Sequence, residues 1–358
     1  MHSRLTQLFL ELVRIDSPSG YEDMMCDFIK NYLTSLGLSP IVDSYGNIVV
    51  RVRGAGAPVL LSAHVDTVEP GRGVKPVIKS GMISSKGETI LGADNKVGVA
   101  IILDILREIQ EKKLSTRSLE IVFTRSEEVG NYGAVNLDYS LISAKQGYIF
   151  DNPNPVGTII TAAPFYNRFD IIITGRSIHA SKPELGIHAL SIAAQALRNI
   201  TLGKVDKITT VNIGAIEGGH VRNTIMGELT LHGEVRSFKE ENLIKATEMV
   251  TSSFSSAADS FGGKVTIEVV RENGGYQYNR KDKDILNTQK FMNKRGLTSI
   301  LKEDWGCSDA NIFIDYGIRT INLGDGCIAT HTVDESVKVK DMQILQDIIL
   351  DLILSQEE

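Results

Sequence analysis

Two polar side chains, His64 and Asp66, close the otherwise apolar run PVLLSAHVD. Alternate residues of a strand share a face, so both point the same way, at the carboxyl edge where α/β sheets bind ligands. A ligating histidine often gives its second ring nitrogen to a carboxylate, a role open to Asp66, yet a hydrogen-bonded core histidine suits HVD as well. Thirty residues on, GADNKVG sets Asp94 between small residues ahead of a helical pattern, as a ligand or as an ordinary helix cap. The run LEIVFT leads into Glu127 and Glu128. Neighbouring carboxylates repel unless a cation lies between them or one is protonated, so the pair suggests metal at one and proton transfer at the other, unless the loop is merely solvated. GYIFD ends at Asp151, which could instead initiate a turn before Asn152 and Pro153, and GDGCIATHTVDE presents His331 in a glycine-rich loop. Each residue alone has a plain explanation. Two histidines, three carboxylates and one further glutamate, all at strand ends or loops of one α/β unit, together fit a two-metal hydrolytic site.

Such a site needs a rigid sheet beneath it. From residue 1 to about 160, helical patterns near 5–13, 21–36 and 96–111 alternate with the strand-like runs GNIVVRV, PVLLSAHVD, LEIVFT and GYIFD. This alternation predicts an α/β unit with helices on both faces of a mostly parallel sheet. Between about 165 and 272 the order becomes strand (FDIIITG), helix, strand (TTVNIGAIEG), strand (ELTLHGEVRS), helix (240–261) and strand (KVTIEVV), the pattern of an inserted ferredoxin-like α+β domain. After it the first style returns, with a helix over 282–295, the strand RTINLG and a closing amphipathic helix over 341–354. The expected division is a discontinuous catalytic domain, 1–164 and 273–358, and an inserted domain, 165–272.

The 358 residues exceed what one core organises, which agrees with two domains. Hydrophobic residues at 42% and charged residues at 23% describe an ordinary globular chain. With 38 basic against 44 acidic residues and no dense basic run, neither nucleic acid nor an anionic membrane is an expected partner. No uninterrupted apolar stretch is long enough to span a bilayer, the opening segment reads as a first helix, and the expected address is cytoplasmic. Cys26, Cys307 and Cys327 are too few and scattered for a disulfide framework or a thiolate zinc site.

Seven ordered motifs resemble the dizinc peptidase and deacylase family of peptidase T, carboxypeptidase G, aminoacylase and acetylornithine deacetylase: HVDTV at 64–68, GADNKVG at 92–98, SEEVG at 126–130, FDN at 150–152, GRSIHAS at 175–181, SDANIF at 308–313 and THT at 330–332. Their wording is most similar to the peptidase T-like branch, and the likeness spans essentially the whole chain. A related dizinc aminopeptidase family inserts a small domain between the first histidine and the bridging aspartate. Here those residues are 30 apart and the long insertion lies in the 180 residues between Asp151 and His331.

The resemblance implies a zinc-exopeptidase-type catalytic domain with an inserted lid and dimerisation domain. Two Zn2+ ions, replaceable by Co2+ or Mn2+, would be held by His64 and Asp151 on one side and by Glu128 and His331 on the other, with Asp94 bridging. Asp66 would orient His64, and Glu127 would be the general base. A cis peptide would join Asp94 to Asn95. From the inserted domain, His179 would stabilise the oxyanion while Asn223 and Arg236 contribute to a substrate carboxylate site. Asn223 can equally end a strand, and Arg236 can equally pair with a surface carboxylate. His220 and Arg222 leave the charge of the substrate pocket open. The implied reaction is zinc-dependent amide hydrolysis of a small peptide, or of an N-acyl amino acid; a non-catalytic interaction protein on the same fold is the third reading. A homodimer through the inserted domain is expected, with FDIIITG or TTVNIGAIEG as the pairing edge and His179 reaching the partner's site.

Overall fold

The computed structural model describes residues 3–354, and by its internal packing the chain divides into two compact units, one of residues 1–161, 278–303 and 307–358, the other of 162–277 and 304–306. In the first unit the sheet runs Ile41–Val42, Ile48–Val52, Arg117–Thr124, Ala55–His64, Gln146–Ile149, Arg319–Leu323, Thr158–Ala163. Its centre is parallel, with Arg117–Thr124, Ala55–His64, Gln146–Ile149 and Arg319–Leu323 side by side in one direction. Ile48–Val52 and Thr158–Ala163 flank that centre antiparallel. Residues 59–64 and 119–124 are buried without alternation, which happens only where both faces of a sheet are covered. The covering helices include Arg4–Leu12, Ala93–Lys112 and Val339–Leu354.

A second, three-stranded sheet of Ser336–Lys338, Met82–Ser85 and Pro76–Lys79 was not expected. Its hairpin turns on Ser80 and Gly81, both at positive φ (51° and 79°), the two-residue turn whose twist matches paired strands. Short runs such as PVIK and MISS carry too little pattern to stand out in the sequence.

The inserted unit is a five-stranded antiparallel sheet in the order Gly203–Lys204, Thr209–Gly218, Glu228–Ser237, Phe165–Thr174, Lys264–Asn273. Helices Ala189–Leu197 and Glu240–Phe261 cover one face, burying Phe169, Ile171, Ile173, Leu229, Leu231 and Val235 against residues such as Ile192, Val250 and Phe254. One expectation is corrected here. FDIIITG cannot be a pairing edge, because Phe165–Thr174 is hydrogen-bonded on both sides, to Glu228–Ser237 and to Lys264–Asn273. Its alternating Phe169, Ile171 and Ile173 supply the core face beneath the two helices. Strand Thr209–Gly218 is paired along its length with Glu228–Ser237 but meets Gly203–Lys204 only at Thr210 and Val211, so its outer side beyond Val211 has no ladder partner among the described residues. No helix among the described residues is long and apolar enough to cross a membrane.

Candidate active site

Three parallel strands deliver the acidic and imidazole groups at their carboxyl ends. His64 is the last residue of Ala55–His64, Glu127 and Glu128 follow Arg117–Thr124, and Asp151 lies just beyond Gln146–Ile149. Asp94 sits in the first turn of Ala93–Lys112, where non-helical dihedrals at Asp94 and Asn95 interrupt the helix, and the Asp94–Asn95 peptide is cis as the resemblance implied. His331 stands in the loop before Ser336–Lys338. All of these groups lie within one compact unit.

The geometry sets two imidazoles against three carboxylates. His64 Nδ1 lies 3.0 Å from the backbone oxygen of Asp66 and 3.3 Å from its Oδ1, so this nitrogen carries the proton. Nε2 lies 3.1 Å from Asp94 Oδ1 and 3.6 Å from Asp151 Oδ1, donating to them when the ring is protonated and offering a lone pair to a cation when it is neutral. On the other side His331 Nε2 lies 3.1 Å from Glu128 Oε1 and 3.5 Å from Asp94 Oδ2. Asp94 thus turns one oxygen to each imidazole. Imidazole and carboxylate groups this close together, hard and borderline ligands only, suit divalent cations that take the place of the shared protons. Ligating atoms of His64, Asp94 and Glu128, and again of His64, Glu127 and Asp151, fall within 4.8 Å of one another. The second grouping includes Glu127, but Glu127 Oε1 already accepts a hydrogen bond from Asn131 Nδ2 at 2.7 Å, which suits a residue outside the ligand set.

The charges agree. Burial, and after it the charge of Asp151, pushes the Glu127 carboxyl well up. Burial and the nearby Asp94 raise Asp151 and Glu128 in the same way. Although burial works against it, hydrogen bonding to His331 and His64 holds Asp94 down. Hydrogen bonding to Asp94 and Glu128 raises His331 to about 10. An acid-rich buried cluster with only two imidazoles calls for added positive charge.

Asp66 does more than orient His64. Its Oδ1 accepts the Glu127 N–H at 2.9 Å and its Oδ2 the Glu128 N–H at 3.1 Å, with Ser19 Oγ donating to Oδ2 at 2.7 Å. Sequence reasoning gave no role to Glu22, Asn131, Asp309 or Glu335. Glu22 accepts from the Ser126 N–H and Oγ at 3.1 and 2.9 Å, steadying the turn into the glutamate pair. Asn131 Nδ2 donates both to Glu127 Oε1 and to Asp309 Oδ1, at 2.7 and 3.1 Å, and burial raises Asp309 to about 7. The spacing of four residues between Glu127 and Asn131 was the available signal, since it makes one turn of backbone.

The remaining expected residues lie on the inserted unit. His179 is exposed; the Ser181 N–H donates to its Nδ1 at 3.2 Å, so the proton sits on Nε2, which can donate outward. Asn223 is exposed too, its backbone oxygen accepting the Ala180 N–H at 2.8 Å, beside the bridge between His179 and Thr224. Arg236 is engaged already: Nε and Nη2 donate to the two Glu234 oxygens at 3.0 and 3.1 Å, Nη1 donates to the Trp305 oxygen at 3.0 Å, and its guanidinium lies 4.3 Å from the Tyr166 ring centre. The ion-pair alternative is therefore what the structure contains at Arg236. Cys26, Cys307 and Cys327 form no disulfide.

Comparison with known proteins places the chain. The M20 peptidase dimerisation domain matches residues 166–260, and peptidase family M28 matches residues 47–144, the segment carrying His64, Asp94, Glu127 and Glu128. An uncharacterised protein, YqjE of Bacillus subtilis, is 34% identical over 98% of this chain and 97% of its own length. Two solved structures are similar at full length: aminopeptidase PepT from Bacillus cereus, with 33% identity and a TM-score of 0.90, and a tripeptidase from Staphylococcus aureus, with 34% identity and a TM-score of 0.93, each match covering 98% of this chain and 97% of the other. The chain belongs to the M20 peptidase family. In this M20 chain the dimerisation-domain match falls on the inserted unit, and the full-length likeness to PepT covers both units and all seven motifs.

Proposed function

We propose that this M20 chain hydrolyses the peptide bond of di- and tripeptides at a site built for two zinc ions. The observation that carries the reading is the pair of imidazole and carboxylate clusters sharing Asp94, whose Oδ1 is 3.1 Å from His64 and whose Oδ2 is 3.5 Å from His331. His64 and Asp151 would hold one ion, Glu128 and His331 the other, with Asp94 shared. Bound there, divalent ions supply Lewis acidity toward the carbonyl and lower the pKa of a water. Glu127 takes the proton of the attacking water and returns it to the leaving amine, a task suited to a carboxyl whose proton affinity burial and the charge of Asp151 have raised. Asn131 holds its Oε1 in place for both transfers. From the inserted unit, His179 would offer its Nε2 proton to the developing oxyanion. Asn223 would bind the substrate's polar end, and Arg236 would join it only by giving up part of its pairing with Glu234.

The match of the inserted unit to a peptidase dimerisation domain supports a homodimer, with the unpaired side of Thr209–Gly218 as the proposed edge. A reducing cytoplasm suits three cysteines that form no disulfide. The deciding experiment is amine release from tripeptides, dipeptides and N-acyl amino acids with Zn2+, Co2+ or Mn2+. Turnover of peptides is expected. Turnover confined to acylated amino acids replaces this reading with a deacylase, and no turnover by protein that holds its ions replaces it with a non-catalytic one.

A further inference from the structure

Glu335 follows His331 by four residues, is 1% exposed, and reaches across the chain to the segment that carries Asp94. Its Oε2 accepts the Gly92 N–H at 2.6 Å and its Oε1 the Asp94 N–H at 3.1 Å, with the backbone of Leu91 contributing a further hydrogen bond. These groups open helix Ala93–Lys112, whose own N-cap, Gly92, has no side chain to offer. Glu335 therefore satisfies the backbone donors of this opening turn from the far end of the sequence, ahead of the irregular dihedrals at Asp94 and Asn95 after which the regular helix runs.

The same loop must hold His331 in an unusual conformation. His331 has φ 64°, in the left-handed region that a non-glycine residue keeps only where its surroundings impose it. Mutual hydrogen bonds between Ile328 and Ser336, at 2.9 and 3.0 Å, close the loop at its base, and Thr332 Oγ1 donates to the Ala329 oxygen at 2.7 Å within it. The Glu335 carboxylate joins this closed loop to the backbone of Asp94 itself. Lys96, 1% exposed with Nζ donating to the Ile15 oxygen at 2.8 Å, puts a buried cation near Glu335 and balances its charge.

Resting on the two-ion reading of the site, we propose that Glu335 is a positioning residue for metal binding: by gripping Gly92 and Asp94 from the loop that bears His331, it fixes the spacing between the shared carboxylate and that imidazole. It contacts no substrate. Its loss loosens the ion on the His331 side while leaving the rest of the sheet intact.

The test compares Glu335→Gln and Glu335→Ala with Glu120→Gln. Glu120 is a control of the same kind: 4% exposed, it accepts the Ser143 and Ala144 N–H groups at 2.8 Å each, four residues back along its strand from Thr124. The readouts are Zn2+ affinity by chelator competition, metal stoichiometry, the visible spectrum of the Co2+-loaded protein and thermal unfolding of the metal-free protein. Glu335→Gln should bind one ion about 10- to 100-fold more weakly and shift the Co2+ spectrum, the size usual for residues that orient ligands. Glu120→Gln should lower the unfolding temperature and leave affinities and spectrum unchanged. Two ions held by Glu335→Gln at wild-type affinity with an unchanged spectrum overturn the proposal, and this variant decides the matter if Glu335→Ala does not fold. A wild-type protein that binds fewer than two ions overturns the site reading and the proposal with it.

Discussion

Asp66→Asn is the sharpest probe of how the site is held. The carboxylate is fully buried and has four partners: the N–H groups of Glu127 and Glu128 at 2.9 and 3.1 Å, Ser19 Oγ at 2.7 Å, and His64 Nδ1 at 3.3 Å. An asparagine of the same shape keeps one acceptor oxygen. That oxygen belongs on the side of Glu127 and His64, since an amide NH2 there would meet two donors, whereas Ser19 can rotate to accept. The NH2 group then faces the Glu128 N–H, which is left unsatisfied. An orphaned buried donor costs roughly 1–3 kcal/mol, and the remaining bonds lose their charge assistance, so about 2–4 kcal/mol is expected in all. Against a typical total of about 5–15 kcal/mol this is a large fraction. The assay is urea unfolding of the metal-free protein at pH 7, followed by circular dichroism and by Trp305 fluorescence, so that coincidence of the two transitions can be checked. A loss below about 0.5 kcal/mol, the range of indifferent surface changes, would refute the reasoning.

Other expectations follow from the same geometry. Glu127→Ala should lower turnover by about 10²–10⁴-fold or more while both ions remain bound, as kinetics beside metal analysis would show; loss of an ion would mean that Glu127 and Glu128 have exchanged roles. His331→Ala should lose one ion selectively, read by metal stoichiometry after dialysis, because a site short of one ligand binds much more weakly. If His179 serves the partner's site, mixing inactive His179→Ala with inactive Glu127→Ala subunits should restore about one quarter of wild-type activity, from the half of the dimers that are mixed and carry one intact site each; no recovery after verified subunit exchange would confine His179 to its own chain.

The parts legible in sequence are those with a long period or an abrupt change of polarity. Helix Glu240–Phe261 was placed residue for residue, because 22 residues of amphipathic pattern end in Gly262 at φ 68°. His64 was legible because an apolar strand ends on it. The three-stranded sheet was not, since its strands are three or four residues long and Ser336–Lys338 pairs with Met82–Ser85 from the far end of the chain. Phe165–Thr174, one of two candidate edges, fails as an edge for a related reason: strand order in a sheet depends on contacts that no local pattern reports. Arg236 shows the limit at single residues, where an arginine suited to a substrate carboxylate is held by Glu234, two positions earlier.

What the sequence hid most completely is a regularity in how the acidic ligands are fixed. The Asp94 N–H is held by Glu335 at 3.1 Å, the Glu128 N–H by Asp66 at 3.1 Å, and the Asp151 N–H by Asn322 Oδ1 at 3.1 Å, with Asn322 Nδ2 also donating to the Asp151 oxygen at 2.8 Å. Glu335, Asp66 and Asn322 are all buried. Each carboxylate proposed to ligate metal is thus pinned at its own backbone by a side chain that lies 241, 62 or 171 residues away in the sequence. Pinning the backbone leaves both carboxylate oxygens free for ions, which a clamp on the carboxylate itself would not do. It also separates two kinds of damage: a change at Glu127 should spare the ions and stop the chemistry, whereas a change at Glu335, Asp66 or Asn322 should first be felt as weaker metal binding. Glu335 and Asp66 are acidic pins, while Asn322 is a neutral one. Glu335 grips Asp94 from the loop that bears His331, so its removal should be felt first at the ion beside Glu128 and His331, whereas Asp66, bonded to His64 Nδ1 as well as to the Glu128 N–H, should be felt at both ions.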